Sequence, residues 1–103
     1  MSQARLADLA ADVAAETPGS VAESDGATTI WSLAGKPFAV LAGDTMEFRL
    51  DAVVGEAARR TPGTTISARG ADWVAFRPGE LDQYAEDRAR AWFLAAARRV
   101  SAG

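Results

Sequence analysis

Three short β-type runs follow one another with almost nothing between them: Thr28-Thr29-Ile30-Trp31-Ser32-Leu33, Pro37-Phe38-Ala39-Val40-Leu41-Ala42 and Thr45-Met46-Glu47-Phe48-Arg49-Leu50. Their links are Ala34-Gly35-Lys36 and Gly43-Asp44. Turns this short join antiparallel neighbours only, because parallel strands need about a dozen or more connecting residues. The three runs therefore form a meander. In the third, Met46, Phe48 and Leu50 alternate with Thr45, Glu47 and Arg49, so the first set faces the core and the second faces away from it.

Helical patterns surround the meander. From Ser2 to about Glu16, Leu6, Leu9, Ala10 and Val13 repeat at the spacing of one apolar stripe, and Thr17-Pro18-Gly19 ends the helix. Residues 20–27 are polar and read as an ordered connector, with a short edge strand around Val21 as the alternative. Asp51 looks like the N-cap of a helix over 52–60 that Thr61-Pro62-Gly63 terminates. Two further strands, 64–68 and 72–77, are joined by Arg69-Gly70-Ala71. The last helix runs from about Glu80 to Val100, with Glu80, Asp82, Glu86 and Asp87 early and Arg98 and Arg99 late, complementing the helix dipole. Its buried stripe is Leu81, Ala85, Trp92, Ala96 and Val100. The order α-β(3)-α-β(2)-α predicts an α/β (α+β) two-layer sandwich, an antiparallel sheet with helices packed on one face. At 103 residues and 49% hydrophobic there is one modest core, hence a single domain over 1–103.

The chain contains no histidine and no cysteine. Nucleophilic catalysis of the Ser-His or Cys-His type lacks its base, and thiolate metal sites lack their ligand. Lys36, the sole lysine, sits in a hairpin turn, where its role is electrostatic. The carboxylate pairs Asp12/Glu16 and Asp82/Glu86 fall on solvated helix faces, and no glycine spacing matches a dinucleotide or phosphate loop. The expectation is a protein with no catalytic residues, metal or cofactor. Charges among the N-terminal alanines (Asp8, Asp12, Glu16) argue against a signal peptide, and no run approaches the ~18–20 apolar residues of a membrane span. A cytoplasmic protein with no membrane partner is expected. Arg supplies ten of the eleven basic residues, a bias of GC-rich bacterial coding. The net charge of −3 divides unevenly: residues 1–56 carry −6 and residues 57–103 carry +3, which allows a basic patch on an acidic molecule.

Large apolar groups occur on both faces of the strands at 30–33, 38–41 and 73–76, although helices cover one sheet face only. Something should cover the second face. The connector 20–27, a second copy of the chain, or another protein or ligand are the open alternatives. The interface set this reading selects is Trp31, Leu33, Phe38, Val40, Glu47, Arg49 and Trp73, with Ile30 as the alternative to Trp31 and Leu33, and Ala39 and Leu41 as the alternative to Phe38 and Val40. In a homodimer, Glu47 of one copy would approach Arg49 of the other.

Several segments resemble one family. Gly35-Lys36-Pro37-Phe38-Ala39 is similar to the hairpin of the MmcQ/YjbR-like proteins, Arg60-Thr61-Pro62-Gly63 to their helix-ending segment, and Asp72-Trp73-Val74-Ala75-Phe76 to a Trp-bearing strand. Arg90-Ala91-Trp92 falls in their C-terminal helix. The resemblance covers roughly 28–100. It implies a fold related to frataxin-like and secretion-chaperone-like domains, and a double-wing mode of DNA binding in which hairpin wings touch the phosphate backbone. Here the wings would be the turns at Lys36 and Arg69, supported by Arg77.

Overall fold

The computed structural model describes residues 2–102, with side chains from Leu6 to Ser101, so Met1 and Gly103 of the expected domain lie outside the described residues. Its elements in chain order are α1 (Ser2–Ala15), β1 (Val21–Asp25), β2 (Thr28–Leu33), β3 (Lys36–Ala42), β4 (Thr45–Arg49), α2 (Ala52–Arg59), β5 (Thr64–Ile66), β6 (Trp73–Phe76) and α3 (Gln83–Ala102). The strands form one antiparallel six-stranded sheet in the order β1-β2-β3-β4-β6-β5. The fold is an α+β sandwich, as its element order predicts. No described helix is long and apolar enough to cross a membrane.

One element differs in kind from the expectation. Residues 20–27 are not a connector: Val21–Asp25 pairs along its length with β2, from Val21 opposite Ser32 to Asp25 opposite Thr28. Gly26, at φ 63°, makes the reversal. Every residue of β1 is exposed, so the strand has no core face to stamp a period-two pattern on its sequence. It extends the sheet in its own plane and does not fold over the second face.

The next hairpin turns on Ala34 (φ 51°) and Gly35 (φ 79°). Two successive left-handed residues are the signature of a type I′ turn, whose twist matches that of the flanking strands. The register then slips between Trp31 and Ser32: Trp31 lies opposite Ala39, whereas Ser32 lies opposite Pro37, leaving Phe38 as the extra residue of a β-bulge. Bulges re-aim side chains. Here Phe38 and Ala39, adjacent in sequence, are both fully buried, and Phe38 meets Phe93 of α3 edge to face at 5.2 Å.

The core lies between the sheet and α3. Trp31 packs on Phe93 with ring centroids 5.5 Å apart, while Phe48 and Phe76 flank Trp92 at 6.1 and 5.0 Å. Edge-to-face pairs of this kind contribute ~0.5–1.5 kcal/mol each beyond the area they bury. Leu81, Ala85, Trp92, Ala96 and Val100 are all buried, together with Ala89, Phe93 and Ala97 on the same broad stripe. Leu6, Ala10 and Val13 of α1 join this core. Helix α2 packs against β5 and β6, with Asp51 accepting a hydrogen bond from the Val54 N–H at 2.8 Å as its N-cap. Helix α3 begins at Gln83 and not at Glu80, because Asp82 caps it: its carboxylate accepts from the Ala85 N–H at 2.9 Å.

Candidate functional site

Strand register assigns each residue of the expected interface to a face, since directly paired residues share one. The row Trp31, Ala39, Phe48, Val74 points to the helices. The row Ile30, Val40, Glu47, Ala75, Thr65 points away from them. Trp31 and Phe38 are therefore core residues, buried against Phe93, and Leu33 packs at the margin of the same core. This corrects the apolar patch expected on the second face. The alternation of β2 puts Ile30 and not Trp31 on that face, and the bulge turns Phe38 inward. Val40, Glu47, Arg49 and Trp73 do lie on the open side. There the chain provides its own polar cover: Glu47 receives hydrogen bonds from Arg69 at 2.6 Å and from Ser67 at 2.5 Å, and the Arg69 guanidinium lies 5.9 Å from the centre of the Trp73 ring. Val40, paired with Glu47 on the same face, is buried. Glu47 and Arg49, expected to pair across two copies, have partners within one.

Nor do the three expected wing cations meet. Arg69 is held by Glu47 on the open face. Arg77 pairs with Asp44 at 3.2 Å, at the end of the sheet that holds the β3–β4 turn. Lys36 opens β3, beside the β2–β3 turn at the opposite end.

At that opposite end a different group converges. The chain reverses at each element, so the β2–β3 turn, the end of β4, the start of β6 and the end of α3 all arrive together. Lys36, Arg49, Arg99 and Val100 line a hollow of about 260 Å³. The carboxylate just before β6, Asp72, accepts from Arg49 Nε at 2.9 Å and from Arg99 NH1 at 2.7 Å. Its backbone is pinned as well, the Asp72 carbonyl accepting from the Leu50 N–H at 2.9 Å. The hydrogen bond from Arg49, then that from Arg99, holds the Asp72 carboxyl at about 2, against an ordinary 3.8, with partial burial opposing them. The three cations of the hollow, set against the Asp72 carboxylate that holds two of them, leave a surplus of two positive charges on a molecule that is acidic as a whole. Lys36 has no hydrogen-bonding or ion-pair partner among the described residues, so its ammonium is available to a ligand. On the other flank of Asp72, Arg59 donates to the Ala71 carbonyl at 2.7 Å and fixes the loop before β6.

Of this group, the sequence points to Lys36 as a wing residue and Arg49 as an interface residue, while Arg99 figures there only as a helix-end charge and Asp72 only as the start of the Trp-bearing strand. The arrangement can bind a multiply charged oxyanion, with Lys36 and the outer faces of two guanidinia as donors. No protein-family model, curated protein or solved structure matches this chain. The structure defines the class as an open-faced α+β sandwich.

Proposed function

We propose that the chain is a non-catalytic binding module that makes weak, sequence-independent contact with a phosphate-bearing polyanion, DNA being the partner its resemblance to the MmcQ/YjbR-like proteins implies. The observation that carries this reading is the convergence of Lys36, Arg49 and Arg99 on one hollow. It differs from the wing arrangement in its residues: Arg69 and Arg77 are engaged by Glu47 and Asp44, and the end of the sheet takes their place. A guanidinium shared with Asp72 keeps free N–H groups for phosphate, and the ion pairs hold both arginines in a fixed position before a ligand arrives.

About three phosphate contacts give a slope near −2.7 in a plot of log affinity against log salt, or about a fortyfold loss of affinity between 50 and 200 mM. Fluorescence anisotropy with random duplex DNA tests this. Lys36→Glu, at an exposed turn, should abolish binding at ~50 mM salt without changing the thermal melt. Binding that survives Lys36→Glu unchanged, or no binding by micromolar protein at that salt, refutes the proposal.

A further inference from the structure

On the other flank of the α3 C-terminus lies a second cavity, a groove of about 560 Å³ between the end of α1, the end of β2 and α3. It is within the roughly 300–1,000 Å³ of small-molecule clefts. Pro18, Leu33, Leu94 and Ala97 supply apolar walls. Two hydroxyls are present, but both protons are committed to the protein's own carbonyls, Thr17 donating to Val13 at 3.1 Å and Ser101 to Ala97 at 2.9 Å. The rim carboxylate, Glu16, is paired with Arg90 at 2.7 Å. Arg98 is exposed at the rim and has no ion-pair or hydrogen-bonding partner among the described residues. The groove thus presents an apolar trough with one free multivalent donor at its edge. That pattern does not suit a sugar or polyol, whose many hydroxyls would lie against Leu33, Leu94 and Ala97 without partners. It does suit a ligand with a hydrocarbon body and a single anionic head.

We infer that this groove is a binding site for a small aliphatic carboxylate of medium-chain fatty-acid type, with the chain along Leu33, Leu94 and Ala97 and the carboxylate on Arg98. Two quantities identify such a mode. Each additional buried methylene tightens binding about three- to fourfold. The exposed charge pair adds only about three- to fivefold, because solvent screens it.

The test is a titration of the full chain, followed by amide chemical-shift mapping, with hexanoate, octanoate and decanoate below their aggregation concentrations and with octanol as the uncharged control. The expected result is that shifts centre on Leu33, Leu94, Ala97 and Arg98, that affinity rises about nine- to sixteenfold at each step of two methylenes, and that octanoate binds more tightly than octanol. Arg98→Gln, at a solvent-exposed position, should weaken octanoate about three- to fivefold and leave octanol unchanged. Absence of shifts at the groove, equal affinity for octanoate and octanol, or an unaltered octanoate affinity in Arg98→Gln overturns the assignment. Shifts centred on Lys36 and Arg99 also overturn it, since they would place the carboxylate in the basic hollow instead.

Discussion

Asp72 is the residue at which stability and the proposed anion binding oppose one another. Replacing it with Asn keeps the shape of the side chain and removes the charge that ties Arg49 of β4 to Arg99 of α3. A carboxyl held at about 2 in place of 3.8 would, at full value, represent roughly 2.4 kcal/mol of folding stability at neutral pH. About a third of the side chain is in water, and screening reduces the expected contribution to about 1 kcal/mol. For a domain of this size that corresponds to a fall of roughly 4–8 °C in Tm. The pH dependence has a definite sign. Because the folded-state value is depressed, the stabilisation is fully present above about pH 4, where the unfolded chain is also ionised, and is lost as pH falls through the folded value near 2. Thermal melts from pH 7 down to pH 2 therefore should show the wild type and Asp72→Asn separated at neutral pH and converging in acid. For the proposed polyanion binding the expected change has the opposite direction: two guanidinia released from their carboxylate should raise DNA affinity at low salt and steepen the salt slope by about one. Melting curves that superimpose across the whole pH range would show that the Arg49–Asp72–Arg99 contact carries no net stability. A DNA affinity that falls in the same variant would show that Asp72 organises the cations more than it neutralises them.

Other substitutions probe the frame around this site. Ala34 occupies the first left-handed position of a type I′ turn, so Ala34→Asn should stabilise the protein by roughly 0.5–1 kcal/mol, and a lowered Tm would contradict the turn assignment. Trp92 is buried against Phe48 and Phe76; Trp92→Ala should cost about 3–5 kcal/mol by chemical denaturation, or leave the chain unfolded. Gly63 sits at φ 93° with the Arg77 carbonyl oxygen 3.2 Å from where a Cβ would stand, and Gly63→Ala should lower stability by about 1–3 kcal/mol in the same assay.

How far each level of this structure was legible in the sequence follows the length scale of the physics involved. Period and turn chemistry are local. Met46, Phe48 and Leu50 named the core face of β4 correctly, Asp51 named the start of α2, and the stripe on α3 named Trp92. Strand β1 was not legible as a strand, because Val21-Ala22-Glu23-Ser24-Asp25 is held by backbone pairing at an exposed edge and buries nothing. The inward turn of Phe38 was not legible either. Strict alternation assigns it to the face of Val40, and only the register slip against Trp31 and Ser32 reverses that. One unpaired residue thus moved the largest side chain of β3 from the expected interface into the core.

The basic hollow illustrates a different limit. Its members lie 13, 23 and 27 residues apart along the chain, at positions 36, 49, 72 and 99, and no single motif joins them. Each, however, stands at the end of an element. In a fold whose successive strands and last helix run back and forth across one layer, direction alternates with every element, so element ends sort into two groups by parity alone. Applied to the predicted order, that rule would have separated Lys36 from Arg77, which stands at the far end with Asp44, and joined Lys36 to Arg49, Asp72 and Arg99. What parity cannot supply is pairing. Arg69 carries the same charge as Arg99 and lies on a neighbouring loop, but Glu47 holds it over Trp73, and that contact depends on a side chain from the middle of β4 reaching across β6. Charge position follows from topology, whereas charge availability follows from packing, and the polyanion site proposed for this protein rests on both.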